Sequence, residues 1–116
     1  MPEKKDQIIA IAVGEDGNIY EFWGRTPVVA LATIHDGAIT DWQEYPVGWD
    51  IAREQTTDGN HHATIARWLM DHHATGVAAV FMGGGMEHML DKMGLDVYLD
   101  VEGNAREIIR QLAEMS

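Results

Sequence analysis

Residues 76–94 read GVAAVFMGGGMEHMLDKMG. Val77 to Met82 is a short, unbroken apolar run, the pattern of a strand buried on both faces. Gly83, Gly84 and Gly85 interrupt it, and Met86, Met89, Leu90 and Met93 then recur at the i, i+3, i+4, i+7 spacing of a helix that Gly94 closes. Leu95 to Val101 (LDVYLDV) follows with the alternation of an edge strand. Strand, helix and strand in this order predict a right-handed crossover between parallel strands.

Upstream, Gln7 to Val13 (QIIAIAV) is a second continuous apolar run and belongs in the middle of the sheet. Asp16, Gly17 and Asn18 make a turn, and Ile19 to Phe22 extend briefly before a long loop runs to Pro27. Val28 to His35 and Ala38 to Tyr45 flank Asp36-Gly37, a dipeptide that accepts positive φ and so predicts an antiparallel hairpin. Pro46 to Gly59 has no period and is expected to be a connection, with Trp49 packing back on the domain or the whole acting as a lid. Ile65, Trp68, Leu69 and His72 predict a helix over about 60–75, capped by Asp58 or Asn60. Asn104 with Glu107 three residues on predicts a reciprocal cap for a last helix, whose buried stripe is Ala105, Ile108, Ile109 and Leu112. The expected fold class is α/β: a three-layer arrangement with a mixed five-stranded sheet, an antiparallel hairpin and three helices. Residues 1–6 are expected to be disordered or extended, and 7–116 to form a single domain.

The chain has 116 residues and 46% hydrophobic content, which suits one domain with a true core. No apolar run approaches the roughly 18 residues of a membrane span, and MPEKKDQ leads into too short an apolar stretch for a signal peptide, so the expected location is cytoplasmic. The net charge is −11, and six protonated histidines would leave it at −5, which argues against nucleic acid as a partner. The absence of Cys excludes disulfides, a thiol nucleophile and thiolate ligation of a metal or cluster.

In open α/β sheets, ligands collect beyond the carboxyl ends of the parallel strands. That rim gathers the loop from Gly14 to Pro27 with Arg25, the start of the first helix with His61 and His62, and Gly83, Gly84 and Gly85 with His88 close behind. His61 shares the side of Ile65, Trp68 and Leu69 and should overlook the rim, so that His61→Ala is expected to abolish metal retention while changing stability little. His62 falls near the edge of that stripe, and His88 lies roughly 200° from Met86 and points away from its helix's core side. A single histidine at a helix start more often caps or hydrogen-bonds than binds a metal; two adjacent ones with a third nearby raise the case for a site. His72 and His73 are about 16 Å further along the helix, too far to share an ion with His61 and His62. Of the seven methionines most are core filling, and Met82 alone is kept as a possible site residue. The three glycines allow backbone N–H groups to approach an anion, with Arg25 as the obvious counter-charge, but lack a P-loop Lys or dinucleotide spacing.

Catalysis has no visible machinery. The two central strands carry none of the carboxylates that ribonuclease H-like nucleases use to hold magnesium, and neither G-x-S-x-G nor H-E-x-x-H occurs. The succession IAVGEDGNIYEFWGRTP, VVALATIHDGAIT, GNHHATIARWL and GVAAVFMGGGMEHML, closed by a strand and a helix, resembles the dinitrogenase iron-molybdenum cofactor biosynthesis family over about residues 7–115. Trp23-Gly24-Arg25-Thr26-Pro27 matches the family's first loop, with Phe22 where the family has His. His61 matches the His of the family's Gly-His-Gly-Ala-Gly, and Gly83-Gly84-Gly85-Met86 its Gly-Gly-x-Gly. The resemblance implies a ribonuclease H-like fold and a non-catalytic role in holding or delivering a metal cluster, of iron-molybdenum or iron-sulfur type, for nitrogenase-related assembly. Its partners would be metallocluster donor or acceptor proteins, with no nucleic acid and no membrane; no oligomeric state is implied. Without Cys, the cluster would be held by imidazole of His61 and His62, by N–H groups of Gly83, Gly84 and Gly85, and by Arg25. Two other readings stand beside it: a single transition-metal ion on His61, His62 and His88 or Met82, and a cofactor-free interaction module that docks through exposed Trp residues.

Overall fold

Ile9 to Val13 are all buried, and their side chains divide between two cores. Ile9, Ile11 and Val13 face one cluster with Ala30, Ile34 and Ile109, while Ala10 and Ala12 face another with Trp23, Trp49, Ile65 and Leu69. A strand with a large-residue face and a small-residue face, both covered, must lie in a central layer, and QIIAIAV does. The computed structural model describes residues 6–115, the side chains of Arg53 and Asp58 excepted. The expectation for the amino terminus lies outside the described residues for 1–5.

The strands are β1 (Gln7–Ala12), β2 (Val28–His35), β3 (Ala38–Pro46), β4 (Gly76–Ala78) and β5 (Asp96–Tyr98), in the sheet order β3-β2-β1-β4-β5. β1 pairs antiparallel with β2, as β2 does with β3, and the β1–β4 and β4–β5 pairs are parallel. The mixed sheet, central β1 and edge β5 are those expected. The β2–β3 hairpin turns at Asp36 and Gly37 with φ of 52° and 76°, the left-handed conformation that Asp-Gly tolerates. Gly76 is needed at the β4–β5 contact, since a Cβ there would come within 3.2 Å of the Asp96 carbonyl and 3.3 Å of the Tyr98 ring.

Among the described residues four helices, not three, flank the sheet: α1 (Trp49–Ala52), α2 (Asp58–Asp71), α3 (Gly84–Lys92) and α4 (Ala105–Met115). The connection expected from Pro46 to Gly59 holds α1 and a 3-10 turn at Arg53–Gln55, elements too short to show a hydrophobic period. Trp49 does pack back, 2% exposed, with its N–H on the Thr26 carbonyl at 3.2 Å, so this segment is part of the core wall. α2 is capped by Thr57, whose hydroxyl accepts from the Asn60 N–H at 3.2 Å; Asp58 and Asn60 lie inside the helix. α4 begins with Asn104 Oδ1 accepting the Glu107 N–H at 3.0 Å, but the Glu107 carboxylate engages Arg110, a longer-reaching charged partner, in place of the reciprocal bond.

Two strands end earlier than their apolar runs. The β4 ladder stops at Ala78, and Phe81 is 63% exposed; the run to Met82 therefore supplies a buried strand and then an irregular wall. β5 is confined to Asp96–Tyr98, and beyond Gly14 the first loop contributes isolated bridges, Val13 with Ile19 and Phe22 with Phe81.

His35, at the end of β2, hydrogen-bonds Asp6 through Nδ1 at 2.7 Å. That bond, the Asp6 charge and then the Asp36 charge raise the His35 pKa above its ordinary value. The link therefore supports the fold fully below pH about 6.5 and is lost as pH rises through the raised value. An NMR titration is expected to find His35 above the usual imidazole range, and Asp6→Asn to bring it back.

Candidate functional site

The rim beyond the carboxyl ends of β1 and β4 forms a hollow of about 410 Å³. Its walls come from the first loop (Phe22, Trp23, Gly24, Arg25), from α2 (His61, His62), from the segment after β4 (Phe81, Met82, Gly83) and from α3 (Met86). The volume lies within the range of small-molecule and cofactor pockets, roughly 300–1,000 Å³. His61 and the glycine bend thus meet at one place, and neither Trp23 nor Trp49 fills it: Trp23 is a wall and Trp49 stands behind it, the two rings edge to face at 5.3 Å.

His61 is the fourth residue of α2 and continues the buried stripe of Ile65 and Leu69. It borders the hollow and is only 3% exposed, which corrects the expectation that its removal would change stability little: the first turn of α2 lies under the Trp23–Arg25 turn. Its Nε2–H donates to the Gly24 carbonyl at 2.6 Å, tying α2 to a loop 37 residues away in sequence. A carbonyl can only accept, so in the neutral ring Nδ1 carries the lone pair. Nδ1 is buried and without a hydrogen-bond partner among the described residues, as is Nε1–H of Trp23 on the same hollow. Leaving such a group unpaired costs about 1–3 kcal/mol.

Behind the hollow an aromatic stack fixes the loop. Trp49 meets Trp68 at 5.7 Å, and Trp68 meets Tyr45 at 5.7 Å and the His72 ring at 4.2 Å. His72 Nδ1–H donates to the Trp68 carbonyl at 2.8 Å, so this histidine serves the carboxyl end of α2. Trp23 and Trp49 are buried, and Trp42 and Trp68 half-buried; among the described residues no Trp is exposed for docking, which corrects that reading.

The electrostatic contrast is large. Nineteen Asp and Glu occur in the chain, yet none lines this hollow, where Arg25 is the one permanently charged group. Gly83 is the N-cap of α3, and no side chain caps that helix, which leaves its first-turn N–H groups to face outward. A Cβ on Gly83 or Gly84 would meet nothing within 4 Å, so these glycines hold open space, whereas a Cβ on Gly85 would lie 3.5 Å from His62 Cε1. Gly85 thus lets the His62 ring lie against α3. Gly84 itself borders a separate shallow depression with Glu87, His88 and Asp91.

His88 is the candidate histidine that the structure does not bring in, and of the three candidate glycines Gly83 lines the hollow while Gly84 and Gly85 do not. Met86 and Leu90 face the core, so His88 points to the far side of α3. The described residues contain no group of three His, Asp or Glu able to hold a metal ion, and the set His61, His62 and His88 does not assemble. Sequence reasoning missed Met86, Trp23 and Phe81 as walls. The i, i+4 spacing of Met82 and Met86 across the start of α3 was the available signal for the first of them.

The family model for dinitrogenase iron-molybdenum cofactor proteins matches residues 5–115. The chain belongs to this family. Solved structures share its fold. That of PH0822 superposes with a TM-score of 0.76 at 17% identity, covering 94% of this chain and 90% of the other. The apo form of the orange protein from Desulfovibrio gigas gives 0.67 at 20% identity, with 96% and 87% covered. A candidate dinitrogenase from Methanocaldococcus jannaschii gives 0.67 at 10% identity, with 97% and 92% covered. No curated protein matches the sequence. Family membership associates the chain with iron-molybdenum cofactor biology, and no helix among the described residues is long and apolar enough to cross a membrane.

His61→Ala removes a buried ring and the donor to Gly24, so we expect a loss of about 2–3 kcal/mol, a fall in Tm of roughly 10 °C in a domain of this size. Calorimetry checks it; an unchanged Tm would mean that the Gly24 contact contributes little.

Proposed function

We propose that the protein binds an anionic metal cluster, of iron-molybdenum or iron-sulfur type, in this hollow without catalysing a reaction, and exchanges it with donor or acceptor proteins. The observation that carries the reading is the acid-free lining in a chain of net charge −11. A neutral or cationic ligand would be served by carboxylates, which this chain has in abundance; their exclusion around Arg25, two imidazoles and a helix amino terminus favours negative charge. Arg25 would supply charge-assisted hydrogen bonds, the first-turn N–H groups of α3 would cradle the cluster, and His61 and His62 would present imidazole nitrogen. The cluster supplies the redox and electronic chemistry; the protein orients it and shields it with Phe22, Trp23 and Phe81. The lining has no carboxylate, hydroxyl or thiol, and its two bases are the imidazoles of His61 and His62. A single metal ion on His61, His62 and Met82, all of which border the hollow, is the second reading.

Anaerobic purification with elemental analysis tests the proposal. Molybdenum or iron with a visible chromophore is expected, and the apoprotein is expected to take up tetrathiomolybdate, a compact metal-sulfur anion. Arg25→Gln should weaken that uptake about tenfold, with the loss shrinking at high salt. One equivalent of zinc or copper alone would favour the second reading, and no uptake of either kind would refute both.

A further inference from the structure

We propose that the outer edge of β3 is a self-association surface, on which a second copy of this chain lays its own β3 antiparallel about a two-fold axis at Gln43, joining the two five-stranded sheets into one. The surface is separate from the hollow and does not depend on what the hollow holds.

The sheet order β3-β2-β1-β4-β5 leaves two edges. β5 has three residues and β3 has nine, and among the described residues no strand pairs with the outer side of β3. A long edge offers its backbone N–H and C=O groups to another strand unless Lys, Pro or a distortion blocks it. β3 (AITDWQEYP) has no Lys and no Gly, and its Pro is the last residue. Its register with β2 is regular from Asp41 to Pro46 and shifts between Asp41 and Ile39, which leaves Thr40 as the extra residue of a bulge. The stretch from Asp41 onward is therefore a straight, unblocked template.

The side chains of β3 select the register of the second copy. On the α4 face, Trp42 Nε1–H donates to Glu44 at 3.0 Å; on the α2 face, the Tyr45 hydroxyl donates to Gln43 Oε1 at 3.1 Å, and Gln43 Nε2–H to Asp41 at 3.2 Å. A two-fold axis normal to the sheet keeps every residue on its own face, so it must pass through a residue that pairs with itself. Asp41 or Glu44 there would set two carboxylates against each other, Trp42 would run the pairing into the Thr40 bulge, and Tyr45 would pair only Glu44 to Pro46. Gln43 uses the regular stretch, with Asp41 opposite Tyr45 and Trp42 opposite Glu44 of the second copy. A Gln amide has two N–H donors and an oxygen with two lone pairs. Asp41 and Tyr45 occupy one of each, and the others form a reciprocal bond with Gln43 of the second copy. The Glu44 carboxylate of that copy then meets Arg106, whose guanidinium lies 5.0 Å over the Trp42 ring in the open groove between β3 and α4. Because β3 runs parallel to β1, the two hollows open at opposite ends of the joined sheet and both stay accessible.

A seam of one strand is smaller than the roughly 1,200 Å² of a standard interface, so the mass found by analytical ultracentrifugation is expected to rise toward the dimer between about 10 µM and 1 mM. Gln43 is exposed, and its replacement leaves the fold intact. Gln43→Lys and Gln43→Glu should each weaken association about fivefold by setting like charges on the axis, and an equimolar mixture of the two should associate more tightly than either alone. Gln43→Cys, in a chain with no other Cys, should oxidise to a covalent dimer, since opposed Cα atoms about 4.5–5.5 Å apart suit a disulfide span of about 4.4–6.8 Å. Asp91→Cys, on α3, should stay monomeric. A chain that is monomeric at about 1 mM would assign the edge to a strand of another protein and overturn the proposal. A dimer indifferent to both charges at position 43, or a Gln43→Cys variant that cross-links no faster than Asp91→Cys, would put the seam elsewhere and overturn it as well.

Discussion

Burial of β1 on both faces is the constraint from which the rest of the molecule follows. Four consecutive residues without exposed surface, Ile9 to Ala12, require a helix layer on each side and a strand on each edge, and the chain supplies β2 and β4 as neighbours. Its faces differ in size: isoleucines meet the α4 stripe, while Ala10 and Ala12 leave depth for Trp23, Trp49 and Leu69 on the other side. That depth lets the first loop fold inward after β1, so the hollow is a consequence of how the core is packed. The connections after β1 and β4 diverge at this point, the geometry in which α/β sheets collect ligands.

The His61–Gly24 hydrogen bond converts the packing into a site. It joins the first turn of α2 to the Gly-Arg loop, and the Trp23–Trp49–Trp68 series buttresses that loop from behind. Packing and this one hydrogen bond lock the His61 ring in place. The acidic composition and the acid-free lining contrast: the hollow gathers Arg25 and the amino terminus of α3 and no carboxylate, in a chain of net charge −11.

The sheet was legible because its evidence is periodic and local. QIIAIAV, the Asp36-Gly37 hairpin and the 3.6-residue stripes of α2, α3 and α4 each declare themselves within a dozen residues. α1 was not legible, since four residues cannot display a period, and its anchor Trp49 is buried by tertiary contact alone. The run Val77–Met82 misled for a related reason: apolar composition marks burial, yet Phe81 is exposed and Met82 faces a cavity, and nothing in the string separates these from a core strand. In the site, Arg25, His61, His62 and Gly83 were found from their places at element ends. His88 was included because it is near in sequence, and the 100° step of α3 turns it away.

By itself the sequence determined the layers, the strand directions and the absence of thiolate chemistry, because hydrophobic period, turn dipeptides and residue inventory are properties of the string. Only the tertiary structure decided that His61 is buried with its Nε2 committed to Gly24, that Met86 joins the wall, and that every carboxylate stays out of the hollow. These depend on where loops from distant positions settle over one another, and that is set by long-range packing against the Ala10–Ala12 face, which no local pattern encodes.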